Sequence, residues 1–424
     1  MSKTQETNIW KIPGYTATMM AIAAAFGAWS ILLPVVPLAV IDSGGSATLA
    51  GSSTGIFMAF TVLTQIISPW LLRRWGYRRV MALSAFTLGV PAFGHLLGTD
   101  AWVVLLFSAL RGVGFGALTV SESALIAELA PVRLLGKATG MIGVFTGLGQ
   151  MVFLPLGLVM AEKLGYASTY ITAGIIGFVG FGMCLRIPKI KVTLASDTED
   201  EPNLIRVPTW KLVAVPALAL TTFSMSYGAV SSFLPPAVQE LDAERGASLA
   251  GIMLSIVGGA AMIFRYFAGM VADRAGTPGR LYIPSQIMAI VGVLAIAVPL
   301  YLDGSVWWLV LGAFLFGGAF GIAQNEALLS MFDRLPRERV SEASAIWNIF
   351  YDGGTGLGST LLGALVAGYG YAGAFGAGVA ILGVGVLMTL ADFILGRTRV
   401  SETNDIRTRL RRMQIGRASC RERV

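Results

Sequence analysis

Apolar residues run along this chain in long unbroken blocks, separated by short polar or Gly-rich connectors. Twelve blocks approach or exceed the roughly 20 residues that a helix needs to cross a bilayer. They cover 15–41, 49–72, 80–98, 101–128, 138–160, 168–186, 212–236, 249–272, 281–302, 306–331, 343–367 and 373–396. The roughly ten-residue alternating segments of a transmembrane barrel do not occur. The pattern therefore predicts an all-α integral membrane protein with twelve transmembrane helices. The first block is too long for a signal-peptide core and lacks a small-residue cleavage site, so it is expected to stay as a span. One long hydrophilic stretch, 187–211, divides the blocks six and six and carries Asp197, Glu199, Asp200 and Glu201 ahead of Pro202. The expected organisation is an N-terminal six-helix bundle over 1–186, a linker over 187–211, a second bundle over 212–396 and a basic tail over 397–424.

The two halves echo each other at an offset of 200–205 residues. Phe26-Gly27-Ala28-x-Ser30-x-x-Leu33-Pro34 returns as Tyr227-Gly228-Ala229-x-Ser231-x-x-Leu234-Pro235, and Ala47-Thr48-Leu49-Ala50-Gly51 as Ala247-Ser248-Leu249-Ala250-Gly251. Gly112-x-x-Phe115-Gly116 returns as Gly317-x-x-Phe320-Gly321, Pro131 as Pro336, and Gly165-Tyr166-Ala167 as Gly370-Tyr371-Ala372. Matches in this order, at nearly one offset, predict two pseudo-symmetric bundles. Parallel repeats of this kind build transporters whose halves rock around a site near the bilayer midplane.

Composition agrees. The chain is 55% apolar and 13% charged, with a mean hydropathy of +0.72, which excludes an ordinary soluble domain of about 25% charged residues. The formal charge of +7 does not point to nucleic acid once the charges are placed. With the N-terminus inside, 27 of the 31 basic residues fall in cytoplasmic segments; Lys163 and Arg245 fall outside, and Arg111 and Arg265 within spans. This positive-inside bias predicts cytoplasmic termini, and the basic tail can also meet anionic lipid. The residues from Ile415 to Val424 read as vector-derived text at a cloning junction. One histidine, His95, expected near a membrane interface, and two cysteines, Cys184 and Cys420, make no metal or disulfide framework. No Gly-x-x-x-x-Gly-Lys-Ser/Thr loop is present, so no built-in ATPase is expected. Neither a cofactor, a metal nor an enzymatic activity is expected.

Between spans 8 and 9 the chain reads Gly269-x-x-x-Asp273-Arg274-x-Gly276. With twelve spans around it, this loop resembles the signature of the major facilitator superfamily, and the resemblance extends over nearly the whole chain. The first-half counterpart departs from it: Pro69 replaces Gly and Arg73 replaces Asp in Pro69-Trp70-Leu71-Leu72-Arg73-Arg74-Trp75-Gly76. The resemblance implies that Asp273 and Arg274 belong to a latch between the halves, with Arg334 or Arg339 as partners, and that Gly269, Gly276, Arg73, Arg74 and Gly76 belong to the gating loops. Arg73 cannot take the Asp role; Glu128 is a candidate for the opposite charge. Arg111-Gly112-x-Gly114-x-Gly116 is similar to the superfamily's Arg-containing motif in span 4, a position that suits proton coupling or gating. Gly143 and Gly147 match a span-5 motif of proton antiporters, but Leu148 stands where that motif has Pro. Span 11, with Trp347-Asn348-x-x-Tyr351-Asp352-x-Gly354-x-Gly356, looks like that of bacterial drug or metabolite efflux permeases.

Ionisable groups inside spans are costly and mark pathways. Asp352 lies deepest, in mid-span 11; it is either a proton carrier, neutral in one state and charged in another, or a member of a structural ion pair. Arg111 can bind an anionic group, tune a carboxylate or brace helices. Glu122, about three turns beyond Arg111, and Glu326, at similar depth in span 10, are the reserve candidates for the proton carrier, with a cytoplasmic-side latch or a substrate contact as the other readings. Arg265 and Asp392 lie nearer the inner ends of spans 8 and 12. Trp29, Gln150, Tyr227, Gln324, Asn325, Trp347, Asn348 and Tyr351 suit a pocket for a small molecule, although packing between helices competes for each aromatic. The leading expectation is a proton-coupled exporter of a small amphipathic or drug-like compound, working as a monomer in a bacterial inner membrane. The alternatives are a proton- or ion-coupled importer of a small organic solute and, from another class, a non-transporting receptor or scaffold.

Overall fold

A computed structural model describes residues 8–190, 209–242, 246–335 and 339–395. The acidic run of the linker, Arg245, Arg337 and the tail from 397 lie outside the described residues. Every regular element among the described residues is helical.

The first apolar block forms two helices, α1 (Tyr15–Ser30) and α2 (Val35–Asp42). Pro34 separates them, since its ring removes a backbone donor and crowds the preceding turn. There follow α3 (Ala47–Trp75), α4 (Tyr77–Gly94), α5 (Ala101–Leu129), α6 (Leu135–Leu164) and α7 (Tyr166–Leu185). The second half contains α8 (Thr209–Leu241), α9 (Gly246–Ala275), α10 (Tyr282–Tyr301), α11 (Trp307–Arg334) and α12 (Val340–Leu395). α12 is broken at Gly370, whose φ of +65° only glycine adopts readily, and so supplies the last two crossings. Eleven segments are long and apolar enough to cross a membrane by length and composition. The remaining crossing is the part of α12 before Gly370, which Asn348, Asp352 and the glycines at 353, 354, 356 and 358 make less apolar. A polar helix is tolerated at membrane depth where it is surrounded by protein.

Repeated glycines explain the repeated fold. A Cβ at Gly112 or Gly116 would run into the carbonyls of Phe57 or Thr61, and one at Gly317 or Gly321 into those of Val257 or Ala261. α5 thus lies on α3 as α11 lies on α9. Apolar burial does little to join helices in lipid, so this close backbone approach carries the association. The Thr61 hydroxyl adds a bond to the Gly112 carbonyl at 3.2 Å.

The halves meet where α6 packs on α9 and where the first part of α12 packs on α3 and α5. Gly136 and Gly269 bring the α6 and α9 backbones together, each lying against the other's carbonyl. Gly76 (φ +76°) and Gly276 (φ +66°) turn the chain at one end of the bundle, here called the motif end.

Candidate functional site

The interface is apolar in composition but carries a chain of polar groups from mid-bundle to the motif end. At mid-bundle, Gln65 on α3 donates from Nε2 to Asp352 Oδ2 on α12 at 2.6 Å, and more weakly to Thr119 Oγ1 on α5 at 3.4 Å. Asp352 is thus held by the opposite half. Gln65 is one of five buried polar residues on α3 among the described residues, with Ser53, Thr61, Thr64 and Ser68. They follow helical spacing, so one polar stripe faces inward along an otherwise apolar helix.

Glu122 on α5 is 3% exposed, and one carboxylate oxygen has no hydrogen-bond partner. It feels the charge of Arg265 on α9, across the interface, without closing to an ion pair. Arg265 donates to Gln324 Oε1 at 2.8 Å, and its guanidinium lies 5.5 Å from the Trp347 ring centre. A Cβ at Gly143 on α6 would collide with the Arg265 side chain, so the first Gly of the partial span-5 motif makes room for this cation. Trp347 Nε1 bonds the Gln324 carbonyl at 3.1 Å. Its ring starts an aromatic stack: Tyr351 at 5.2 Å, Phe320 a further 5.8 Å on, then Tyr227 at 4.5 Å, all within 20° of parallel. The first half repeats part of this wall. Phe26 and Phe115, the sequence counterparts of Tyr227 and Phe320, meet at 5.2 Å, and Trp29 stacks on Phe115 at 5.2 Å.

Three predicted residues serve other ends. Asn325 accepts from Thr139 on α6 at 2.9 Å and so joins the halves. Asn348 donates to the Ser344 carbonyl of its own helix at 2.8 Å. Gln150 is half-buried on α6 and makes no side-chain hydrogen bond among the described residues. Glu326 does not join Glu122: it accepts from the backbone N–H of Gly279 and anchors the turn after α9. His95 follows directly on the end of α4. It is buried, packed against Phe107 and Tyr170.

Toward the motif end, Ser123 and Ser344 share a short hydroxyl bond across the halves, and Ser344 also bonds the Val120 carbonyl at 2.8 Å. Asp273 then accepts from the backbone N–H groups of Gly136 and Lys137, both at 2.7 Å. These are orphan donors in the first turn of α6, whose own N-cap position, Leu134, offers no side-chain bond. The expected partners of Asp273, Arg334 and Arg339, are occupied elsewhere. Arg334 pairs with Asp392 at 2.5 Å and bonds the Leu212 carbonyl, while Arg339 donates to Thr209 at 2.9 Å. The expectation for Arg73 also needs correction, for its opposite charge is Glu342, at 3.3 Å, not Glu128. Arg74 lies over Trp70, and Arg274 is exposed. The two motif loops therefore both reach the other half with reversed charge: Asp273 against the start of α6, and Arg73 against Glu342 in the first turn of α12. Five polar participants absent from the sequence reading, Gln65, Ser123, Thr139, Glu342 and Ser344, bridge the halves, and Arg265 moves from the margin to the centre.

Among the described residues no group of three His, Cys, Asp or Glu side chains is placed to hold a metal ion.

Known proteins share this fold. The solved proton:xylose symporter XylE, bound to 6-bromo-6-deoxy-D-glucose, superposes with a TM-score of 0.72 at 17% identity, over 91% of this chain and 95% of its own. The human organic anion transporter MFSD10 superposes at 0.70 and 16% identity, over 89% and 99%. In sequence, the quinolone resistance protein NorA of Staphylococcus aureus strain MSSA476 is 26% identical over 206 residues, 47% of this chain and 52% of that protein. NorA of strain MRSA252 is 26% identical over 217 residues, 48% and 54%. The aligned part of the chain thus spans about half the length of these curated relatives. The structural neighbours support the fold alone, but the profile of the Major Facilitator Superfamily matches residues 18–359, most of the chain. The chain belongs to the Major Facilitator Superfamily.

Proposed function

We propose that this protein is a secondary active transporter that exports a small amphipathic or drug-like molecule in exchange for protons. The observation that carries the reading is the bond from Gln65 to Asp352, which ties a membrane-buried carboxyl group of one half to the other. A bond of this kind exists in only some relative positions of the halves. Proton occupancy at Asp352 and the arrangement of the two bundles are then linked, and linkage is reciprocal. Glu122 and Arg265 form a second ionisable couple across the same interface, so a moving proton has a neighbour to respond to it. The aromatic stack beside them offers a surface for an apolar substrate body. The efflux direction is supported by the NorA relatives, named for quinolone resistance, and by the span-11 pattern around Asp352. The protein works as a monomer in a bacterial inner membrane.

The motif end is assigned to the cytoplasm, because basic connectors concentrate there. In a cysteine-free background, a single cysteine at exposed Arg280 is expected to resist an impermeant maleimide in intact cells, while one at exposed Asp303 reacts. The opposite labelling would invert the topology.

The transport reading is tested in inverted vesicles, with dye and quinolone probes offered with and without an imposed proton gradient. Uptake into the vesicles should depend on the gradient and collapse with a protonophore. Gradient-independent equilibration would remove proton coupling, and accumulation in the opposite direction would favour import.

A further inference from the structure

We infer that the cavity between α1, α3 and α5 binds the carboxylate end of an amphipathic organic acid. This inference names a substrate class for the proposed transport site and rests on that reading. The cavity has a volume of about 20 Å³ and is lined by Trp29, Ser53, Thr54, Phe57, Ser108 and Arg111, with an apolar rim from the break between α1 and α2. It lies on the side of Arg111 away from the motif end.

Three observations specify the occupant. Arg111 is 4% exposed and takes part in no ion pair among the described residues. Its Nη2 donates to the Ala28 carbonyl at 2.9 Å, but its Nε–H has no acceptor. The indole N–H of Trp29, on the same cavity, has none either. Arg111 and Trp29 thus border one small space, each keeping one buried donor that no acceptor satisfies. The Phe57 ring, 5.7 Å from the guanidinium, offsets only part of the charge. A buried guanidinium without a counterion is costly, and the group that relieves it must accept hydrogen bonds and carry negative charge. A protonated amine meets repulsion at the same place.

The repeat supplies a control within the molecule. At the offsets that relate the halves, Arg111 corresponds to Phe316 and Trp29 to Val230, both buried and apolar. The scaffold therefore packs without either donor, and only the first half carries them. The space holds about one water molecule, so the carboxylate enters by displacing it and parting the apolar rim. The faces of Trp29 and Phe57 and the apolar rim would receive the rest of an amphipathic acid.

The test uses the full-length protein in nanodiscs, in halide-free sulfate buffer, with thermal unfolding and calorimetric titration as readouts. The probes are 2-naphthoate, 2-naphthamide and 2-naphthylmethylamine, which share a ring system and differ in charge. Naphthoate is expected to bind saturably and at least tenfold more tightly than the other two. Arg111→Gln should weaken naphthoate at least tenfold and leave the amide unchanged. Trp29→Phe keeps an aromatic ring against Phe115 but loses the N–H; it should weaken naphthoate about three- to tenfold. It also keeps the test decisive if Arg111→Gln does not fold. Equal binding of the amide, or undiminished naphthoate binding by either folded variant, overturns the assignment. So does stabilisation of the parent by chloride with none by naphthoate, which would give the cavity to an inorganic anion. No gradient enters this measurement. Failed binding therefore removes the acid without touching transport, whereas failed gradient-driven uptake removes transport without touching the binding result.

Discussion

Asp352→Asn is expected to reduce pH-driven transport in proteoliposomes by at least tenfold while leaving substrate binding within about threefold of the parent. The substitution keeps shape, and its amide oxygen can still accept from Gln65, so the contact between α3 and α12 survives. What is lost is the ability to gain and release a proton. In the structure the carboxyl group is half-buried between the halves and bonded by Gln65. When the halves part, that bond and the surrounding polarity change, and with them the affinity for a proton. A difference of one pKa unit between the two arrangements is worth about 1.4 kcal/mol, enough to bias a conformational equilibrium tenfold. The measurement is flux under an imposed pH difference, alongside counterflow without one. Counterflow should persist in the variant, because exchange of substrate for substrate needs no net proton movement. Undiminished pH-driven flux would remove Asp352 from the coupling step and leave Glu122, with its unpaired oxygen and its Arg265 neighbour, as the carrier. Gln65→Leu separates the two roles further. It removes the donor but not the acid, and should shift the pH dependence of transport without abolishing it.

The apolar blocks were readable because lipid sets a length for every crossing. The repeat was readable because the glycines that let backbones touch are the residues that recur. Gly112 and Gly116 face Phe57 and Thr61 as Gly317 and Gly321 face Val257 and Ala261. The site was readable only where it is charged. Asp352 and Glu122 stand out in an apolar helix, whereas uncharged Gln65 does not, although Thr61, Thr64 and Ser68 mark the same buried stripe. Glu122 and Glu326 looked alike by depth. In register Glu122 corresponds to Ala327, and a slip of one residue turns a side chain about 100° around its helix. One glutamate therefore faces Arg265 and the other a loop backbone. The motif marks Asp273 as a latch candidate, but its partners are peptide N–H groups of Gly136 and Lys137, which no side-chain identity announces. Ser123 and Ser344 were invisible for a similar reason: a serine in a helix usually bonds its own preceding turn, and only the meeting of two helices selects these two.

Asp273→Ala is expected to open the motif end and to slow transport at least tenfold at matched protein levels, with ligand affinity changed much less. The carboxylate satisfies two N–H groups at the start of α6 at 2.7 Å each. Hydrogen bonds to a charged group are worth about 1.5–3 kcal/mol each, and the helix dipole adds to them at that position. The bonds cross between halves, so they exist only while the motif end is closed and count fully toward that state. The Arg73–Glu342 pair crosses the same gap, but its side chains are 39% and 32% exposed, and such pairs are worth about 0–1 kcal/mol. It cannot replace the lost cap, and Arg73→Ala should alter transport less than threefold. Asp273→Asn should fall between the parent and Asp273→Ala, because its amide retains an acceptor but not the charge. The direct readout is the distance between spin labels at exposed Arg79 and Arg280, one in each half at the motif end. In Asp273→Ala the distance distribution should move toward longer values, and in Arg73→Ala it should stay close to the parent's. An unchanged distribution and an unchanged rate in Asp273→Ala would show that apolar and glycine contacts, led by Gly136 on Gly269, hold the closed end by themselves. A larger opening in Arg73→Ala than in Asp273→Ala would reverse the ranking and make the exposed ion pair the dominant latch.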